Sequence, residues 1–123
     1  MQWQTEVPNP RWQLDAQLED TWLLMGSCFV ENLYQYLKLP SGNLFCNPYG
    51  ISYHPMVICD QICVKTDEDS DIFQRNDQLY AHWLAHSKYT SADRAQLMAV
   101  LNTQQIHLST HLQKAKYIVI TPG

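Results

Sequence analysis

No run of apolar residues in this 123-residue chain approaches the roughly 20 that a membrane-spanning helix requires, so no membrane partner is expected. The opening Met1-Gln2-Trp3-Gln4-Thr5-Glu6 holds neither a basic stretch nor an apolar core, and no signal peptide is expected from it. Lysine and arginine number eight against twelve Asp and Glu; they are scattered, and without a basic cluster nucleic acid is not an expected partner. There is no internal repeat and no low-complexity segment. The four cysteines, at 28, 46, 59 and 63, have no secretory context. Free thiols in a reducing cytoplasm are therefore expected rather than a disulfide framework.

What is there suits one globular core: 46% of the residues are hydrophobic and the net charge is a modest −4. Residues 1–19 are polar, with prolines at 8 and 10, and read as an extended arm. Residues 20–26 read as a first strand, whose Trp22-Leu23-Leu24-Met25 run suits burial on both faces of a parallel sheet. A helix is expected over about 28–38, with Phe29, Leu33, Tyr36 and Leu37 on one face, and a short strand around 44–46. Pro55 opens a second helix carrying Met56, Val57, Ile58, Ile62 and Val64; an acidic connector spans Thr66 to Ser70. Residues 71–90 have no clear pattern. The longest helix is expected over 92–114, capped by Thr90 or Ser91, with a stripe of Leu97, Leu101, Leu108 and Leu112. Lys114 and Lys116 suit its negative pole, and Tyr117-Ile118-Val119-Ile120 is the last strand. This order predicts an α/β fold with a parallel sheet.

An open parallel sheet places its site beyond the carboxyl ends of its strands. Three features fall there: Ser27-Cys28, Asn47 to Gly50, and Thr121 to Gly123. The stretch from Trp22 to Leu33 reads as strand, tight turn and helix start, with two nucleophilic residues at the bend. Amides at such a bend suit an oxyanion, and a thiol at a helix N-terminus is favoured as thiolate. A serine in the same place needs a histidine to take its proton. His82 and His86, His107 and His111, and Cys59 and Cys63 are each four apart, but no acidic partner is fixed beside them and no metal site is expected. Trp22 reads as core packing, and Trp3 and Trp12 as pins for the arm.

Gly26-Ser27-Cys28-Phe29-Val30 resembles the motif for which the GSCFA family is named, with Val in the last place. The resemblance extends to Gln4-Thr5-Glu6-Val7-Pro8, to Asn47-Pro48-Tyr49-Gly50-Ile51 with Tyr53 and Pro55, to His86-Ser87-Lys88-Tyr89, and to the strand end Ile118 to Gly123. It implies kinship with the SGNH hydrolases, three-layer α/β esterases and acyltransferases that need no cofactor. Residues 1–123 then form the N-terminal part of a single GSCFA domain, its sheet truncated after about three strands, with the rest of the site and the catalytic histidine expected downstream. Laying Gly26 on the glycine of the SGNH Gly-Asp-Ser turn puts Cys28 at the nucleophile position, with Ser27 the alternative. Gly50 would offer its amide to the oxyanion, Asn47 its side-chain amide, and Gly123 closes the same set of strand ends. His86 would orient substrate or assist proton transfer. The implied activity is hydrolysis or transfer of an acyl group on a hydroxyl, with an acylated sugar or similar small ester as substrate. The contrasting expectation is a truncated, non-catalytic binding domain or the product of a shortened gene. A sheet cut short would expose an apolar edge open to self-association.

Overall fold

Eight elements follow one another along the described residues: β1 (Trp22–Gly26), α1 (Cys28–Tyr36), β2 (Leu44–Cys46), α2 (Pro55–Cys63), β3 (Ile72–Arg75), β4 (Leu79–His82), α3 (Arg94–Lys114) and β5 (Tyr117–Thr121). The structure is a computed structural model and describes residues 8, 14–40, 42–63, 71–76 and 78–123. The expected places of Trp3, Trp12, Val64, most of the arm and the acidic connector lie outside these residues. β1 is central in a three-stranded sheet of order β2-β1-β5, parallel throughout, with Leu23 opposite Phe45 and Ile118, and Leu24 opposite Cys46 and Val119.

The apolar run of β1 is explained by burial from both sides. Successive strand residues face opposite ways. Leu23 and Met25 enter one core cluster with Tyr49, Ile58 of α2, and Leu97, Leu101 and Leu108 of α3. Leu24 faces the other layer, where α1 packs against all three strands and buries Val30. The result is α/β, with helices on both faces of the sheet. β5 has no further strand beyond it among the described residues, and Ile118 and Ile120 are about half exposed.

Three expectations are corrected. α1 ends at Tyr36 rather than 38, because Leu37 turns extended (ψ 106°) while its N–H still bonds Leu33 O at 2.9 Å. Its inward line is Val30, Leu33 and Leu37, whereas Phe29 and Tyr36 are 60% and 81% exposed. Spacings of three and four fit either stripe; the tie of Ser27 to β5, described below, fixes the rotation. The cap of α3 is Asp93, not Thr90 or Ser91: its Oδ1 accepts from Ala95 N at 2.8 Å and Gln96 N at 3.4 Å. Ser91 instead exchanges backbone bonds with Tyr80, at 2.7 and 3.1 Å, and braces the cap by accepting from Asp93 N. Residues 71–90, unreadable by pattern, hold the antiparallel hairpin β3-β4. Its strands are four residues each, too short for alternation to stand out.

Lys116 is also reassigned. Rather than serving the pole of α3, it pairs with Asp20 at 2.9 Å and so ties the start of β5 to the segment before β1. His111 of α3 is half-buried and stacks on Phe45 of β2 at 4.0 Å and 12°.

Candidate active site

The turn between β1 and α1 is built against the end of β5. Gly26 has φ +136°, and a side chain there would collide with the Thr121 carbonyl, so β1 and β5 meet through bare backbone. Ser27 N donates to Thr121 O at 2.8 Å, and the two hydroxyls are 3.2 Å apart. Ser27 is buried, and its Oγ caps α1 by accepting from Phe29 N at 3.4 Å. Cys28 is the first residue of α1 and is exposed. The two candidate nucleophiles thus stand in different surroundings: Ser27 is tied into the cap and the sheet, and Cys28 faces outward.

The second turn follows β2. Asn47 is buried and takes a positive φ of 42°. Its Oδ1 accepts from Gly26 N at 2.8 Å, and its Nδ2 donates to Glu31 Oε1 at 3.4 Å. Its own N–H bonds Leu24 O, and its carbonyl accepts from Gly50 N at 2.8 Å. Both polar ends of the Asn47 side chain are therefore engaged, Oδ1 joining this turn to the first one and Nδ2 reaching α1, while the Gly50 amide closes the second turn on itself. Ser52 N adds a bond to Gly26 O at 2.9 Å.

The third strand end closes on Tyr53. Gly123 N donates to Tyr53 O at 3.0 Å, and a side chain at Gly123 would run into the Tyr53 ring. The Tyr53 phenol is hydrogen-bonded to Cys28, which more than any other influence holds its proton on above the usual tyrosine range; the charge of Cys28, some burial and Glu31 add to this. Strand ends distant in sequence, Cys28, Asn47, Tyr53 and Gly123, thus form one connected set.

A sequence profile described as the GSCFA family matches residues 21–123. The chain belongs to the GSCFA family. No curated protein and no solved structure gives a significant match.

In this GSCFA chain His86 sits against the second turn. Its N–H donates to Tyr49 O at 2.8 Å, and the Cβ that Gly50 lacks would lie 2.5 Å from His86 Cβ. His86 Nδ1 accepts from Lys88 N at 3.2 Å, so in the neutral ring the proton is on Nε2 and that edge is a donor. The same i to i+2 arrangement recurs at His54, which accepts from Met56 N at 3.2 Å, and at His82, which accepts from Leu84 N at 3.1 Å. A cleft of about 270 Å³ joins Tyr53, His54, Trp83 and His86. Burial holds His82 below the ordinary histidine range, with Asp71 opposing, and its Nε2 has no partner among the described residues.

All four cysteines are free. Cys46 differs from Cys28: burial first, then the Glu31 charge, push its thiol up to about 11, and its Sγ donates to Val30 O at 3.7 Å. Among the described residues no three His, Cys, Asp or Glu gather as metal ligands, and no helix is long and apolar enough to cross a membrane. Tyr53 is the site residue that reading the sequence missed as chemistry. Its tyrosine-x-proline setting was visible beside the Asn47 turn, but only folding shows its hydroxyl at Cys28.

Proposed function

We propose that this GSCFA chain carries the nucleophile of an SGNH-type acyl-ester hydrolase or acyltransferase, acting on an acylated sugar or similar small ester. One observation carries the proposal: at one strand-to-helix turn Cys28 is exposed, while Ser27 is buried and used as a cap. Cys28 Sγ attacks the ester carbonyl carbon; a C–S bond forms and the carbonyl π electrons move to oxygen. Its proton leaves to a general base, a role that the SGNH pattern gives to a histidine. The Cys28 amide, at the first position of α1, serves as a main-chain donor to the oxyanion, aided by the positive helix pole. Asn47 shapes this pocket by locking the second turn to Gly26, Gly50 closes that turn on Asn47, and Gly123 holds the Tyr53 backbone. The oxyanion then collapses, the C–O bond breaks, and the alcohol leaves after gaining a proton. Water hydrolyses the thioester, or a second hydroxyl takes the acyl group. His86, with Nε2–H as donor, orients the substrate. The free thiols suit a reducing compartment, and we assign the chemistry to the cytoplasm.

The test uses p-nitrophenyl acetate, whose leaving group needs no general acid. Incubation of the purified chain followed by peptide mapping should find one acetyl group on Cys28, with none after Cys28→Ala and little change after Ser27→Ala in molecules that remain folded. Acetylation confined to Ser27, or absent from both residues, overturns the assignment.

A further inference from the structure

Trp83 is 66% exposed, an unusual position for so large an apolar ring. It is not loosely held. Phe73 of β3 stacks on it with ring centroids 4.2 Å apart and planes 26° apart, so one face of the indole is backed and fixed. Trp83 N also donates to Asp71 O at 3.1 Å, which pins its backbone to the start of the hairpin. Trp83 lines the cleft that also holds Tyr53, His54, Gln61 and His86, and among the described residues that cleft is lined by no Lys, Arg, Asp or Glu. Two of its imidazoles, His54 and His86, have Nδ1 already taken by backbone N–H groups and so offer Nε2–H donors.

We propose that Trp83, backed by Phe73, is a stacking platform for a neutral pyranose ring in the cleft that Tyr53 shares with the Cys28 site. The C–H groups on one face of a pyranose carry partial positive charge and pack against the negative face of an indole. Its hydroxyls accept from imidazole N–H groups at the rim, which gives the mixture of apolar wall and few directed polar groups that small-molecule clefts use. This inference deepens the reading of Cys28 as an ester-cleaving nucleophile and rests on it for the identity of the bound molecule as substrate. A pre-fixed aromatic wall loses little freedom on binding, so a single sugar is held even in an open cleft.

The experiment titrates methyl β-D-glucopyranoside, methyl β-D-xylopyranoside and, as a neutral flat competitor, inosine into wild type, Trp83→Ala, Trp83→Phe and Cys28→Ala. Binding is read by saturation-transfer NMR and calorimetry, and folding by circular dichroism. At least one glycoside should bind wild type and Cys28→Ala alike, with saturation strongest on the C–H protons of one ring face. Trp83→Ala should weaken it by about tenfold or more and Trp83→Phe by less, since a smaller ring remains. If glycoside binding follows this pattern while no acyl group reaches Cys28, the platform stands and the esterase reading fails. If Cys28 is acylated but both Trp83 variants bind glycosides as wild type does, the platform fails alone. Binding of inosine only, or of no glycoside, also overturns it.

Discussion

The difference between Ser27 and Cys28 is one of hydrogen bonding rather than of intrinsic reactivity. A buried hydroxyl that accepts from Phe29 N and pairs with Thr121 has little freedom to attack a substrate, whereas Cys28 is exposed beside a phenol donor. A pulse of iodoacetamide at pH 8, mapped by peptide, should therefore label Cys28 ahead of the other thiols and Cys46 last. Cys46 labelling as fast as Cys28 would contradict the burial that pushes its thiol up to about 11. A phenol hydrogen-bonded to sulfur steadies its position at the turn. Tyr53→Phe should slow acetylation of Cys28 by about tenfold while leaving the far-ultraviolet circular dichroism unchanged. An unchanged rate would remove Tyr53 from the site.

At the scale of elements, the three strand ends depend on close backbone approach. Gly26 needs both its positive φ and an absent side chain, because the Thr121 carbonyl fills the space; Gly42, at φ +91°, has nothing within 4 Å. Gly42→Ala should cost about 1 kcal/mol, the backbone penalty alone. Gly26→Ala should cost about 3 kcal/mol or more, since β5 must also move away from β1. Urea denaturation of the two variants separates them, and equal costs would mean that the β1–β5 approach is not tight. Asp93→Ala should remove about 1 kcal/mol by unsatisfying the first turn of α3. Ser91→Ala should cost less, because that residue only braces the cap.

For the molecule as a whole, pH acts through His82. Its folded-state value lies below its ordinary 6.5 because burial disfavours the charged ring. Between the two values the unfolded chain binds the additional proton, so stability rises with pH. The contribution is complete above about 6.5 and is lost as the pH falls toward the folded value. His82→Asn keeps an acceptor for Leu84 N–H and removes the titration. The thermal midpoint of wild type should fall between pH 7 and 5 more steeply than that of the variant, and parallel curves would exclude His82 as the cause. Asp20 acts at lower pH. Its carboxyl is held below its usual value by the Gln17 backbone bond first and by Lys116, so that contribution is present above about 3.8 and is lost under stronger acid.

The sequence by itself determined the α/β order, the buried strand from Trp22 to Gly26, the apolar stripe of the long helix and the family. These rest on local periodicity and on a contiguous motif, both written along the chain. It also brought Cys28, Asn47, Gly50 and Gly123 forward as neighbours, since parallel strands must end on the same side. Only the tertiary structure decided the rotation of α1, the hairpin over 71–90, the separate surroundings of Ser27 and Cys28, and the meeting of Tyr53 with the thiol. Apart from the hairpin, whose short strands pair near neighbours, each of these rests on contact between residues far apart in sequence. Ser27 and Thr121, 94 residues apart, acquire their roles from packing that no local pattern encodes.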